Sequence, residues 1–165
     1  MRTPKKKPTA LNKAVELLAA QEHSEARLRE KLLRRGYEGD EIDAAVERLT
    51  EKRYIDDEAA CAREFAHFYE DSTMSLRQIE QKLVGRGFPR SLVEASVPED
   101  DDRDGRELRA ACAALRGRFH GPAPREKMKV FLYRRGFDYG ICDGAVSDFL
   151  EENPEYRIEE TDYEA

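Results

Sequence analysis

Few of these 165 side chains could do chemistry, and their spacing restricts what that chemistry is. Asp56 and Asp57 form an adjacent carboxylate pair, the type of residues that hold a cation or share a proton. Neighbouring side chains on a helix diverge by about 100°, so this pair cannot converge on one ion without further ligands. The same two acids also suit a helix start, where one caps a free N–H and the other favours the dipole. A cap and a partner contact are compatible, and both readings stay open. His23, His67 and His120 share no metal-binding spacing, and His23, just before Ser24, reads as a capping-loop residue rather than a base. Cys61, Cys112 and Cys142 are an odd count without paired spacing, so neither a disulfide framework nor a zinc knuckle is indicated. Each reads as a small apolar residue on a helix. No phosphate loop, nucleophile elbow or zinc signature is present. The expectation is a protein that is not an enzyme and uses no cofactor or metal.

Cations are the other chemistry-bearing group. Arg35, Arg86 and Arg135 each stand immediately before a Gly, and Arg34 and Arg134 stand one place earlier. Arginines so placed could contact a protein partner or DNA phosphates. They could equally stabilise a helix C-terminus by covering its exposed carbonyls. Arg34 and Arg134 point away from the apolar stripe and are the better binding candidates. Arg125, Lys127 and Lys129 begin a basic helix face and join them, although most charge runs are solvated faces.

The elements that position these residues come from one unit written three times. Ser24 to Leu49, Ser75 to Val97 and Pro124 to Leu150 each place a helix starter twelve residues before a Gly that an aromatic follows. The glycine–aromatic pairs are Gly36-Tyr37, Gly87-Phe88 and Gly136-Phe137, with Gly spacings of 51 and 49 residues. A period of that size signals tandem supersecondary units. Ser24 and Ser75 suit helix caps, Gln78 completes a capping box with Ser75, and Pro124 suits a first turn. Leu28 with Leu32, Ile79 with Leu83, and Met128 with Leu132 each make an apolar stripe four residues apart. The Gly then ends the helix in the left-handed conformation, and the aromatic folds back on the last Leu. A further helix follows, buried through Ile42, Ala45, Val46 and Leu49, then Val93, Ser96 and Val97, then Cys142, Ala145, Val146 and Phe149. A helix also precedes each segment, at about Ala10 to Gln21, Asp57 to Tyr69 and Asp104 to Arg118.

The predicted fold is all-α: three tandem three-helix units forming an elongated, curved, repeat-like body. Charged and hydrophobic residues each make up 39% and Trp is absent, which suits thin two-layer modules better than one thick core. The division is a mobile basic N-terminus at 1–9, unit 1 at 10–55, and unit 2 with an acidic linker at 56–103. Unit 3 follows at 104–153, then a mobile acidic tail at 154–165. The net charge of −6 equals that of the residues from 151 onward, which carry one basic and seven acidic side chains. The remainder is balanced, with mildly basic ends and an acidic middle, unlike a protein that holds nucleic acid by charge alone. The start is basic but no apolar run follows it, so the expectation is a cytoplasmic chain without signal peptide or membrane span. The apolar residues suffice only for the modules themselves, so a monomer is expected.

Four segments in order resemble the bacterial RecX family. They are Lys13 to Ala19, His23 to Leu32, Tyr54-Ile55-Asp56-Asp57, and Lys129 to Phe137, the last similar to the third unit of the family's longer members. The resemblance runs from about Ala10 to Leu150. The chain departs from it at Ala59-Ala60-Cys61, where the family usually has an aromatic, and at Asp71 to Ser75, which lacks a frequent Gly. The resemblance implies a regulator that binds a RecA-type recombinase filament on single-stranded DNA. It implies limits on that filament's extension, ATPase and strand exchange in recombination, DNA repair and the SOS response. It adds Tyr54 to the candidate contacts, beside Asp56 and Asp57. Weak direct binding of DNA is the competing class, and a steep salt dependence in the absence of recombinase distinguishes it.

Overall fold

The computed structural model describes residues 7–99 and 101–158, and among these the chain is helical without strands. The order is α1 Ala10–Ala20, α2 Glu25–Leu33, α3 Gly39–Glu51, α4 Asp57–Asp71, α5 Leu76–Gly85, α6 Arg90–Ala95, α7 Arg103–Arg118, α8 Arg125–Arg134 and α9 Tyr139–Glu152. A single 3-10 turn, Pro154–Tyr156, follows. These are three successive three-helix repeats, as the periodicity predicts.

The middle helix of each repeat is built as expected. Leu28, Leu32, Ile79, Leu83, Met128 and Leu132 are fully buried. Gly36, Gly87 and Gly136 take φ of 74°, 92° and 85°. The N–H of Tyr37 reaches the Leu32 carbonyl at 3.4 Å, that of Phe88 reaches Leu83 at 3.2 Å, and that of Phe137 reaches Leu132 at 3.3 Å. Each aromatic is buried beside the helix it closes, which is the Schellman arrangement.

Two compact units emerge from the packing: Lys82–Val97 joins the residues before Ala66, and Ala66–Gln81 joins those from Pro98 onward. The division therefore runs through α4 and α5. In the first unit, Ala14, Leu28, Leu32, Ile42, Val46 and Leu49 close the core of α1, α2 and α3. In the second, Leu115, Met128, Leu132, Phe137, Val146 and Phe149 join α7, α8 and α9. Each of these side chains larger than alanine contributes about 1.5–3 kcal/mol when fully buried.

The middle repeat differs from expectation at its end. α6 stops at Ala95, so Ser96 and Val97 lie beyond the helix and are only half-buried, while Val93 alone is fully buried. Pro98 is the cause, because the residue before a proline is pushed out of the α region. The Ser96 hydroxyl donates back to the Leu92 carbonyl at 2.7 Å and finishes the short helix.

At the end of α3, Arg53 takes φ 56°, while its N–H bonds Thr50 at 2.9 Å and the Tyr54 N–H bonds Leu49 at 2.8 Å. This is the same helix stop as in the middle helices, made without glycine. Arg53→Gly removes the left-handed strain and is expected to stabilise the protein by about 1 kcal/mol. A melting midpoint that falls instead would show that the Arg53 side chain contributes more than its backbone costs.

The described ends are tied down. Lys7 Nζ donates to the Gly36 carbonyl at 2.6 Å, Tyr37 donates its hydroxyl to the Pro8 carbonyl at 2.8 Å, and Thr9 caps α1. At the other end, Tyr156 packs on Phe149 and Arg157 Nε donates to the Leu150 carbonyl at 3.1 Å. The rest of the segments expected to be mobile, 1–6 and 159–165, lies outside the described residues. No helix among the described residues is long and apolar enough to cross a membrane.

Candidate functional site

The N-terminus of one middle helix meets the C-terminus of the next at a joint that occurs twice. Ser24 Oγ accepts from the Arg27 N–H at 3.3 Å, capping α2, and donates to the Arg86 carbonyl at 2.7 Å. Ser75 Oγ accepts from the Gln78 N–H at 3.2 Å and donates to the Arg135 carbonyl at 2.6 Å. The Gln78 side chain returns a bond to the Ser75 N–H at 3.4 Å, completing the expected capping box. An acid from the first helix of the next repeat then takes the first N–H of α2 and of α5. Asp57 Oδ1 accepts from Glu25 at 2.9 Å, and Glu107 Oε1 accepts from Leu76 at 3.1 Å.

The two acids of the adjacent pair thus point to different helices. Asp56 Oδ1 accepts from the Ala59 N–H at 3.0 Å and caps α4, while Asp57 reaches across to α2. Burial pushes the Asp57 carboxyl above its ordinary range, and the Glu25 N–H opposes that shift. They do not converge on a common point, and among the described residues no group of three metal-binding side chains occurs.

The arginines before the glycines all have partners. Arg35 Nη1 donates to the Lys31 carbonyl at 2.8 Å, covering the end of its own helix. Arg86 pairs with Glu64. Arg135 Nη2 reaches the Thr73 carbonyl at 3.3 Å, and its guanidinium lies 5.4 Å from the centre of the Phe131 ring. Of the residues one place earlier, Arg34 is 70% exposed and pairs with Glu30 at 2.5 Å, and Arg134 is exposed. In the third repeat Arg125 donates to Ser147 Oγ at 2.9 Å and Lys127 is exposed. Lys129 is held by Asp143 at 2.6 Å, a bond that raises the ammonium and lowers the carboxyl from their ordinary pKa values. Tyr54 is 68% exposed and, with Val15, Leu18 and Leu49, lines an apolar opening of about 490 Å³ that Arg48 and Lys52 also border. The candidate residues do not gather at one place.

Sequence reasoning missed Arg106 and Glu107. The Arg106 guanidinium donates to the carbonyls of Tyr69 at 2.9 Å, Met74 at 2.7 Å and Phe68 at 3.3 Å, and pairs with Glu107 at 2.7 Å. Both side chains are about nine-tenths buried. A signal existed, since Arg106 falls four and eight residues before the buried Ala110 and Ala114, on the apolar stripe of α7. Such a residue must be paired, because an isolated buried charge is too costly.

Among the described residues no side chains are arranged as a catalytic constellation. Burial pushes the thiols of Cys61, Cys112 and Cys142 upward, opposite to what a nucleophile needs. Burial and the nearby Lys31 lower the pKa of His23, whose Nε2 lies 2.8 Å from Lys31 Nζ. A neutral ring there accepts from the lysine.

Comparison with known proteins agrees with this architecture. Residues 10–49 match the family model described as RecX, first three-helix domain. The chain is 31% identical to a regulatory protein RecX of Chlorobium limicola, over 86% of this chain and 90% of that one. It is 33% identical to a regulatory protein RecX of Xanthomonas citri, over 89% and 91%. Among solved structures, RecX from Lactobacillus salivarius superposes with a TM-score of 0.68 at 18% identity, covering 85% of this chain and 94% of that chain. At that identity the superposition speaks to the fold.

Proposed function

This chain belongs to the RecX family of regulatory proteins, and from that membership we propose that it binds a RecA-type recombinase filament on single-stranded DNA. The family is one of regulators and not of enzymes. On this reading the protein acts in the bacterial cytoplasm as a monomer, limiting filament extension and so lowering ATPase and strand exchange in recombination, DNA repair and the SOS response.

One observation at the side-chain level supports it. Leu33, Val84 and Tyr133 stand three residues before the three glycines, and all are exposed, at 63%, 37% and 67%. Burial selects apolar residues, so an exposed apolar side chain kept in register through three repeats wants a reason outside the fold. A partner with a repeating surface supplies one, since each repeat can address one copy of the same contact. Arg34 and Arg134 follow directly in the first and third repeats and would pair with acids beside those contacts.

The test is the steady-state ATPase of a bacterial recombinase on single-stranded DNA, with this protein added at a small fraction of the recombinase. Strong inhibition is expected. Replacing Arg34, Arg125, Lys127, Lys129 and Arg134 together by Ser should keep far-UV helicity, because exposed ion pairs contribute about 0–1 kcal/mol each. The half-inhibitory concentration should rise by about tenfold, from five contacts of roughly 0.3 kcal/mol each. Full inhibition by that variant would move the contact elsewhere, and no inhibition by the unmodified protein at any ratio would sink the reading.

A further inference from the structure

α1 carries more apolar surface than its own bundle covers. Among Ala10–Ala20 only Asn12, Lys13 and Glu16 are polar. Ala10 and Ala14 turn into the core, while Leu11 forms a second stripe with Val15 and Leu18, four and seven residues further on. A helix apolar on two faces is one that packs on both sides. Leu11 and Leu18 are half-buried and Val15 is exposed, along one side of the opening of about 490 Å³ that Tyr54 borders.

Tyr54 is set there by a turn that departs from its three counterparts. Each middle helix ends on a glycine of positive φ, and the aromatic that follows is buried. α3 ends on Arg53 in the same conformation, and the Tyr54 N–H reaches the Leu49 carbonyl five residues back, as Tyr37 reaches Leu32. The Tyr54 ring nevertheless stays out at the mouth of the opening, and Ile55 takes the buried place. Left-handed backbone without glycine is costly and collects at binding sites. Here it holds an aromatic ring that the core does not use.

The charge of the rim selects the occupant. Arg48 and Lys52 are exposed and line the opening, no acid does, and neither cation has an ion-pair partner among the described residues. A fitting segment brings a ring for the apolar floor and carboxylates for the rim. Residues 159–165 have that chemistry: Glu-Glu-Thr-Asp-Tyr-Glu-Ala places four carboxylates around one ring, without a cation. The residues before them, Tyr156 and Arg157, are held within the second compact unit, whereas the opening belongs to the first. We propose that the opening takes residues 159–165 of a second copy of this chain. Tyr163 packs on Leu11, Val15 and Leu18 beside Tyr54, and the flanking carboxylates meet Arg48 and Lys52. Donor and acceptor surfaces differ, so the copies join head to tail. One ring and a few exposed ion pairs make a weak contact, with a dissociation constant of about 100 µM. The chain is a monomer when dilute and self-associates when concentrated, and the inference does not rest on recombinase binding.

The experiment is sedimentation equilibrium of the full chain at low salt, with neither recombinase nor DNA present. The weight-average mass should rise with concentration and fall back towards the monomer as salt screens the exposed pairs. Tyr163→Ser and Tyr54→Ser should each weaken association by about tenfold. Arg48→Glu with Lys52→Glu should abolish it, and so should replacing Glu159, Glu160, Asp162 and Glu164 together by Lys. A chain carrying both sets of changes restores the charge match and should associate again, with far-UV helicity unchanged throughout. A monomer at every concentration, association that survives Tyr163→Ser, or no recovery in the doubly reversed chain would each overturn the proposal. A chain that stays monomeric, but whose Tyr54→Ser variant loses recombinase inhibition, would give the opening to the recombinase and overturn it too.

Discussion

Replacing Arg106 by Met is expected to destabilise the protein by about 3–5 kcal/mol, the cost of stripping one partner from a buried ion pair. Three carbonyls lose their donor: Phe68 and Tyr69 in the last turn of α4, and Met74 in the loop that leads to α5. Glu107 keeps only the Leu76 N–H and becomes a buried charge without a counterion. Burial already pushes the Glu107 carboxyl above its ordinary 4.5, and Arg106 is a main force opposing that rise. Without the guanidinium the folded-state pKa climbs further while the unfolded value stays. The stability tied to that raised value is complete below the unfolded pKa and lost as pH passes through the folded one. The deficit of Arg106→Met should therefore be largest at neutral pH and shrink on acidification. Thermal melts at neutral and mildly acidic pH check this, with a fall in the midpoint of about 10 °C expected at neutral pH. Adding Glu107→Leu should recover the charge part of the loss but not the part due to the three carbonyls. A variant that melts like the unmodified protein at both pH values would show that the clasp contributes nothing.

That clasp also marks where reading the sequence stopped. The middle helices were legible because their determinants are local: a stripe four residues apart, a cap three residues from its target, an aromatic five residues from the carbonyl it bonds. Arg106 reaches carbonyls 32 to 38 residues away, and Ser24 and Ser75 reach carbonyls 62 and 60 residues away. No local period encodes those pairings. The repeat did hold a trace of one, since Glu107 stands fifty residues after Asp57 and both take the first N–H of a middle helix. Arg53 was illegible for another reason: it adopts a glycine's conformation without being glycine, so no residue type announces the turn. The candidate site was legible as residue types only. The sequence places arginines before each glycine, but whether each caps its own helix, as Arg35 does, or faces solvent, as Arg134 does, depends on the element packed beside it. The exposed register of Leu33, Val84 and Tyr133 needed burial to be seen, because an apolar residue in a stripe-bearing helix otherwise reads as core.

Gly87→Val is expected to cost about 3–5 kcal/mol, from two separable sources. The first is the backbone, since φ of 92° strains a β-branched residue by about 1–3 kcal/mol. The second is the joint, because a Cβ at residue 87 would sit 2.7 Å from Ser24 Oγ, and Ser24 is itself buried. The hydroxyl must move, leaving the Arg86 carbonyl and the Arg27 N–H without it, which adds about 1–3 kcal/mol. Gly36 allows the two sources to be told apart. It has φ of 74°, but a Cβ there meets nothing closer than Lys7 Nζ at 3.7 Å. Gly36→Ala should therefore show the backbone cost alone, about 1–2 kcal/mol, and Gly87→Ala should exceed it. In a Ser24→Ala background the excess should largely disappear, since the clashing oxygen is gone and the two changes share one contact. Chemical denaturation of the five variants measures each difference directly. If Gly36→Ala and Gly87→Ala cost the same, the joint is looser than its 2.7 Å bond implies, and the second glycine is needed only for its turn.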